Sequence, residues 1–182
     1  MTNRLGLYLI SASDLILLFE TPGDVAICEG KPFSNPHRVL VDDPGPLHWR
    51  VPQVKEDPSL NIWFVRWIVL NSTHEIIGSV SFHAPLDAKG MIEIGVGIHQ
   101  NFRNNGYAKE ALLGMWSWAI NEPAVQTLRY TVSADNIPSV KIIKGFGFNH
   151  VGQQTDEADG IEEIFEIDSE VFRRRFEIPG DH

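Results

Sequence analysis

From Ile92 to Ile98 the chain alternates strictly, with Ile92, Ile94, Val96 and Ile98 on one side and Glu93, Gly95 and Gly97 on the other. A period of two is that of a strand with one buried face. After a short turn containing Arg103 and Gly106 the period changes. Ala108, Ala111, Leu112, Met115 and Ala119 are spaced three and four apart, which places them on one face of a helix, and Asn121–Pro123 stop it. The stretch 91–120 is therefore a strand, a turn and an amphipathic helix.

The rest of the chain is arranged before and after that unit. Arg4–Ile10 reads as a strand, and Ser13 or Asp14 can cap a helix over Leu15–Phe19. Seven of the eleven prolines follow, at Pro22, Pro32, Pro36, Pro44, Pro46, Pro52 and Pro58. Each removes a backbone donor and restricts its predecessor, so no long regular element is expected there, only short helical turns near His37–Leu40 and Leu47–Lys55. This segment either lines a pocket, with His37, Arg38, Asp42, Asp43, His48 and Trp49, or is an ordered cover without chemistry. Asn61–Leu70 and Glu75–His83 are rich in β-branched and aromatic residues and read as a hairpin. Thr127–Ala134 is a further strand. Asp135 or Asn136 can cap a helix with Pro138 in its first turn and an apolar side of Val140, Ile142, Ile143 and Phe146. Strands around His150–Gln153 and Glu162–Ile167 flank an acidic turn at 155–160, and a short helix over Ser169–Phe176 follows. The pattern describes one α/β domain over residues 1–182 with a mixed sheet.

Composition narrows the function classes. The formal charge is −9, from 24 acidic and 15 basic residues. A nucleic-acid or anionic-membrane partner needs a basic face and is not expected. An acidic surface suits a cationic substrate, and it also serves solubility alone. Cys28 is the only cysteine, so no intrachain disulfide can form, and a cytoplasmic setting is expected. The seven histidines lack metal-ligand spacing, and no metal is expected. Arg4, the run LGLYLI and Ser11-Ala12-Ser13 faintly mimic a secretory leader, but a strand followed by a helix is the expectation.

The turn Arg103-Asn104-Asn105-Gly106-Tyr107-Ala108 carries the chemistry. It precedes a helix whose first N–H groups have no partners within the helix, and the dipole there favours an anion. Gly106 lets a diphosphate approach the main chain, and Arg103 can add a charge-assisted contact. A plain strand–helix turn with a convenient glycine would look the same. Two rival phosphate motifs fail. No glycine is followed by Lys-Ser or Lys-Thr, and the dinucleotide fingerprint that starts at Gly95 and Gly97 has Gln100 where its third glycine belongs.

With Asn136-Ile137-Pro138-Ser139 and Gly145-Phe146-Gly147-Phe148 beside it, this turn resembles the GNAT superfamily of acetyl-CoA-dependent N-acetyltransferases, whose signature is [QR]-x-x-G-x-[GA]. The similarity covers roughly residues 76–148, and within the family it points toward the ribosomal-protein N-terminal acetyltransferase branch. The resemblance implies a mostly antiparallel sheet of six to seven strands flanked by helices. It also implies acetyl-CoA as co-substrate and direct attack by a primary amine, from a small molecule or a protein N-terminus, in a monomer or homodimer. A non-catalytic acyl-CoA-binding protein of the same fold is the alternative.

By the same resemblance, backbone amides at Val96, Gly97 and Ile98 face the acyl group, and Arg103, Asn104, Asn105, Gly106, Tyr107 and Ala108 hold the pyrophosphate. Asn136 contacts the pantetheine, and Ser139 is the hydrogen-bond donor or acid for the departing thiolate. For Asn136 and Ser139 a helix cap is the competing role. Glu93 is the candidate base, against a plain solvated carboxylate. Deprotonating an α-amino group at pH 7 costs only about 1.2 kcal/mol, against about 4.6 for a lysine side chain, so an N-terminal acceptor needs little help from Glu93.

Overall fold

The expected strand, turn and helix form as β4 (Met91–Ile98), a short 3-10 turn at Gln100–Phe102 with the loop behind it, and α3 (Tyr107–Ala119). The computed structural model describes residues 2–23, 25–156 and 160–179. Around this unit it shows β1 (Leu5–Leu9), α1 (Ala12–Glu20), α2 (Leu47–Glu56), β2 (Arg66–Leu70) and β3 (Glu75–Phe82) on the N-terminal side. On the C-terminal side follow β5 (Thr127–Ser133), α4 (Ile137–Phe146), β6 (Asn149–Asp156), β7 (Gly160–Asp168) and α5 (Ser169–Arg175). The sheet has seven strands in the order β1-β2-β3-β4-β5-β7-β6. The β1/β2, β2/β3, β5/β7 and β6/β7 pairs are antiparallel and β4/β5 is parallel, so the expected mixed, mostly antiparallel α/β architecture is present. The middle of the acidic turn, 157–159, lies outside the described residues.

The chain divides into two compact units, Met1–Pro85 with Val96–Met115, and Leu86–Gly95 with Trp116–His182. In the first, α1 and α2 bury Leu15, Leu18, Leu47, Val51 and Val54 with Phe64, Trp67 and Val69. Trp49 is exposed, whereas Trp67 is fully enclosed. In the second unit, Trp116 is the centre of an aromatic cluster, with ring centroids 4.8 Å from Phe148, 5.2 Å from Phe146 and 5.6 Å from Phe172. These rings anchor α4 and α5, and thereby the loop from which α4 starts.

Two expectations are corrected. The helical turns expected over Leu47–Lys55 join into one ten-residue helix, α2, in a segment where no long element was expected. Pro46 caps it, a position where a missing N–H costs nothing, and its carbonyl accepts from Trp49 (3.1 Å) and Arg50 (3.0 Å). Pro52 interrupts the ladder, but Leu47, Val51 and Val54 are all buried, and that packing outweighs the lost bond. Second, residues 61–63 are not strand. Asp57 accepts from the Ser59 N–H (2.9 Å) and hydroxyl (2.6 Å), and starts a 3-10 helix over Pro58–Trp63. Asn61 is then buried and donates to the Ile10 carbonyl at 2.9 Å, so β2 begins only at Arg66. Arg66 itself is buried, donates to the carbonyls of Ile62 (2.9 Å) and Phe64 (3.3 Å), and is pushed down to about 10 by desolvation.

Candidate active site

The parallel ladder between β4 and β5 spans three positions, Met91↔Thr127, Ile92↔Leu128 and Glu93↔Arg129. It ends before Val96–Ile98, the segment proposed from sequence to face an acyl group. Within the first unit that segment is tied to β3 and to the turn. The His99 N–H donates to the Ile77 carbonyl (2.8 Å), and Arg103 Nε donates to the Ile98 carbonyl (3.0 Å). Gly97 is exposed, and a Cβ built on it meets nothing within 4 Å. The space over this strand end is open.

The turn 103–106 is solvent-facing. Asn104 and Gly106 adopt left-handed backbone, at φ +64 and +79, a conformation glycine takes without penalty and asparagine tolerates best among the other residues. Asn105 Nδ2 braces the loop from inside, donating to the carbonyls of Arg103 (2.9 Å) and Phe102 (3.2 Å). The Glu110 N–H donates to the Gly106 carbonyl at 3.1 Å, so Tyr107 and Ala108 at the helix start present N–H groups outward. A Cβ on Gly106 would touch only Arg4 Nη2, at 3.5 Å. A loop with two left-handed residues, outward N–H groups and only the Arg4 guanidinium beside the glycine fits a diphosphate. Arg103 is placed differently from the simple expectation. Its Nε fastens the turn to β4, and only its terminal nitrogens remain for an anion.

In the second unit, the Asn136 side chain accepts from the Ser139 N–H at 3.3 Å and is the N-cap of α4. Asn136→Ala is therefore expected to cost about 1 kcal/mol, read as a lowered midpoint in thermal or urea unfolding. Ser139 lies close enough to Tyr130, a buried residue of β5, for its side chain to act on the phenol. Burial pushes the Tyr130 phenol above its ordinary value, the Ser139 side chain lowers it in part, and the charge of Glu162 raises it again. The Thr131 hydroxyl donates to Glu93 Oε1 at 2.5 Å. Arg129, on the same face of β5, donates from Nε to Glu166 Oε1 at 2.7 Å. Glu93 is thus a half-buried, hydrogen-bonded carboxylate rather than a freely solvated one.

From the proline-rich segment, His37 reaches the end of β4. Its ring stacks on His99 (4.9 Å between centroids, 28° between planes), meets Phe102 edge-on at 4.8 Å, and places Nε2 3.9 Å from Glu75 Oε2. The described residues contain no group of three or more His, Cys, Asp or Glu arranged for a metal, and no helix long and apolar enough to cross a membrane.

In the seven-stranded mixed sheet the fourth strand leads through the turn 103–106 into α3. The family model for the acetyltransferase (GNAT) domain matches residues 37–149. Among curated proteins, the uncharacterized N-acetyltransferase p20 of Bacillus licheniformis is 26% identical over 89 residues, 49% of this chain and 50% of that one. The chain spans about half the length of the curated relatives it matches. Among solved structures, the ribosomal-protein-S5-alanine acetyltransferase of Vibrio fischeri superposes with a TM-score of 0.64 at 16% identity, covering 94% of this chain and 97% of that one. Mutant forms of a spermidine/spermine N-acetyltransferase of Vibrio cholerae give 0.64 at 14% identity, with 95% and 98% covered. At such identities these structures share the fold. The family match is direct, and the chain belongs to the GNAT acetyltransferase family.

Proposed function

We propose that this protein transfers an acetyl group from acetyl-CoA to a primary amine, a small molecule or a protein N-terminus, as one acetyltransferase domain over its whole length. The observation that carries this reading is the turn 103–108, whose left-handed Gly106 and outward N–H groups leave room for a diphosphate against the start of a 13-residue helix. The family match spans residues of both units, which supports a single domain.

Acetyl-CoA supplies a thioester whose carbonyl carbon accepts the amine; a C–N bond forms, the C–S bond breaks, the amine loses a proton and the thiolate gains one. Backbone N–H groups of Val96–Ile98 serve as donors to the acyl oxygen as charge develops on it. The N–H groups from Asn104 to Ala108, with the terminal nitrogens of Arg103, hold the diphosphate. Ser139 gives the departing sulfur its proton, and Asn136 sets the start of the helix that carries Ser139. Glu93 takes the proton from the amine where the acceptor is strongly basic.

The acceptor class follows from the chemistry of amines, not from any one neighbour. The named activities of the similar structures span a polyamine and a ribosomal protein, and the net charge of −9 favours a cationic acceptor. Thiol release from acetyl-CoA, measured across a panel of polyamines, amino acids, aminoglycosides and N-terminal peptides, tests the proposal. Tight CoA binding without thiol release on any of them would instead identify a non-catalytic acyl-CoA-binding protein. Within that assay, Glu93→Gln is expected to lower kcat more than about tenfold on an amine of lysine-like basicity and much less on an α-amino group. A loss below tenfold on both would remove Glu93 as the base.

A further inference from the structure

We propose that Arg4, outside the family motif and about a hundred residues before it, is a positioning residue that holds the turn 103–108 in its anion-receiving shape; this rests on the donor reading above. Arg4 reaches both the turn and the first turn of α3. Its backbone N–H donates to Glu110 Oε1 (2.8 Å) and its Nε to Glu110 Oε2 (2.7 Å), so one carboxylate grips both main chain and side chain. Its Nη1 donates to the Asn105 carbonyl (3.0 Å), and the guanidinium lies over the Tyr107 ring, 4.7 Å from the centroid. Nη2 is 3.5 Å from the point a Cβ on Gly106 would occupy.

This placement runs against a general preference. A cation at a helix N-terminus meets the positive end of the dipole. Glu110, in the first turn of α3, offsets it: burial pushes its carboxyl up, but the hydrogen bonds from Arg4 and Thr2 and the Arg4 charge bring it below the usual carboxylate range. A locally unfavourable cation kept beside an anion cradle is the kind of exception that accompanies a binding role. The turn also needs an external brace. With residues 104 and 106 both left-handed it has no regular ladder, and Arg4 ties it to the backbone just before β1. The planar fork fixes direction as well as charge, which a lysine at this position cannot do.

Arg4→Ala, Arg4→Lys and Glu110→Gln, studied in the full chain, test this. The KM for acetyl-CoA is expected to rise about tenfold, the worth of one charge-assisted hydrogen bond, with kcat and the amine KM changed less than about twofold. Amide hydrogen exchange at 104–108 should accelerate in the same variants while exchange in the β5–β7 ladders stays constant, and Arg4→Lys should not rescue. Where Arg4→Ala folds poorly, Glu110→Gln reads the same clamp from its other side. An unchanged acetyl-CoA KM together with unchanged exchange at 104–108 would overturn the inference. Faster exchange at 104–108 in Arg4→Ala, together with a wild type that binds no CoA, would overturn the donor reading while leaving the anchoring in place.

Discussion

Gly106→Val is expected to weaken acetyl-CoA binding by about 100-fold or more while the protein still folds. Two costs act together. At φ +79 a β-branched residue is strained by about 1–3 kcal/mol, and the chain relieves that strain by moving the turn out of its left-handed shape. In addition, the two methyl groups enter the space where the diphosphate would meet the main chain, a space bounded by nothing nearer than Arg4 Nη2 at 3.5 Å. Backbone strain alone is separable, because Gly30 has φ +71 and nothing within 4 Å of an added Cβ. Gly30→Val should therefore lose comparable stability and bind CoA as the wild type does. Calorimetric titration of CoA into both variants, with thermal melts alongside, makes the comparison. If the two bind equally well, the turn is not the donor site.

The strand, turn and helix at 91–119 were legible because each rests on information within a few residues: alternation for β4, a three-to-four spacing for α3, and a glycine where the chain reverses. The start of α4 was legible for the same reason, since Asn136 and Pro138 suit a cap and a first turn. What escaped depends on partners far along the chain. Arg4 and Glu110 are paired across more than a hundred residues, and each alone is an ordinary charged residue. Tyr130 reads as one more buried position of an alternating strand, and its closeness to Ser139 follows only from where α4 starts beside β5. The place of α2 is legible as helical turns over Leu47–Lys55, but its continuity past Pro52 is not, because that depends on the burial of Leu47, Val51 and Val54. The strand expected at Asn61 was overextended for the opposite reason: aromatic and β-branched composition was counted while the capping chemistry of Asp57 and Ser59, which turns the chain there, was not.

The same distinction between local and distant information gives Gly78 its importance. In the sequence it is a small residue inside a β-branched run; in the fold it lies where β3 packs against the end of β4. A Cβ on Gly78 would lie 2.2 Å from the Gly97 carbonyl oxygen, 3.2 Å from its carbon and 3.1 Å from Ile98 Cα. All three are main-chain atoms, so no rotamer can yield, and the strands themselves must separate. Gly78→Ala is expected to cost about 1–3 kcal/mol, seen as a fall in Tm of several degrees. The displacement falls on Val96–Ile98, and Ile98 also holds Arg103, so kcat/KM should fall further than the loss of folded protein explains. A shift near 1 Å in positioning groups can cost about 100-fold in rate. Gly97→Ala separates the two effects. Its added methyl meets nothing within 4 Å of the protein, so stability should change by less than about 0.5 kcal/mol, while the donor space over the strand end is partly filled and kcat/KM drops. Both variants are assayed well below their melting ranges. A Gly78→Ala protein with wild-type Tm would mean that β3 and β4 do not approach this closely. If its Tm falls but its kcat/KM matches that of the wild type, as does that of Gly97→Ala, then the end of β4 does not serve the acyl group.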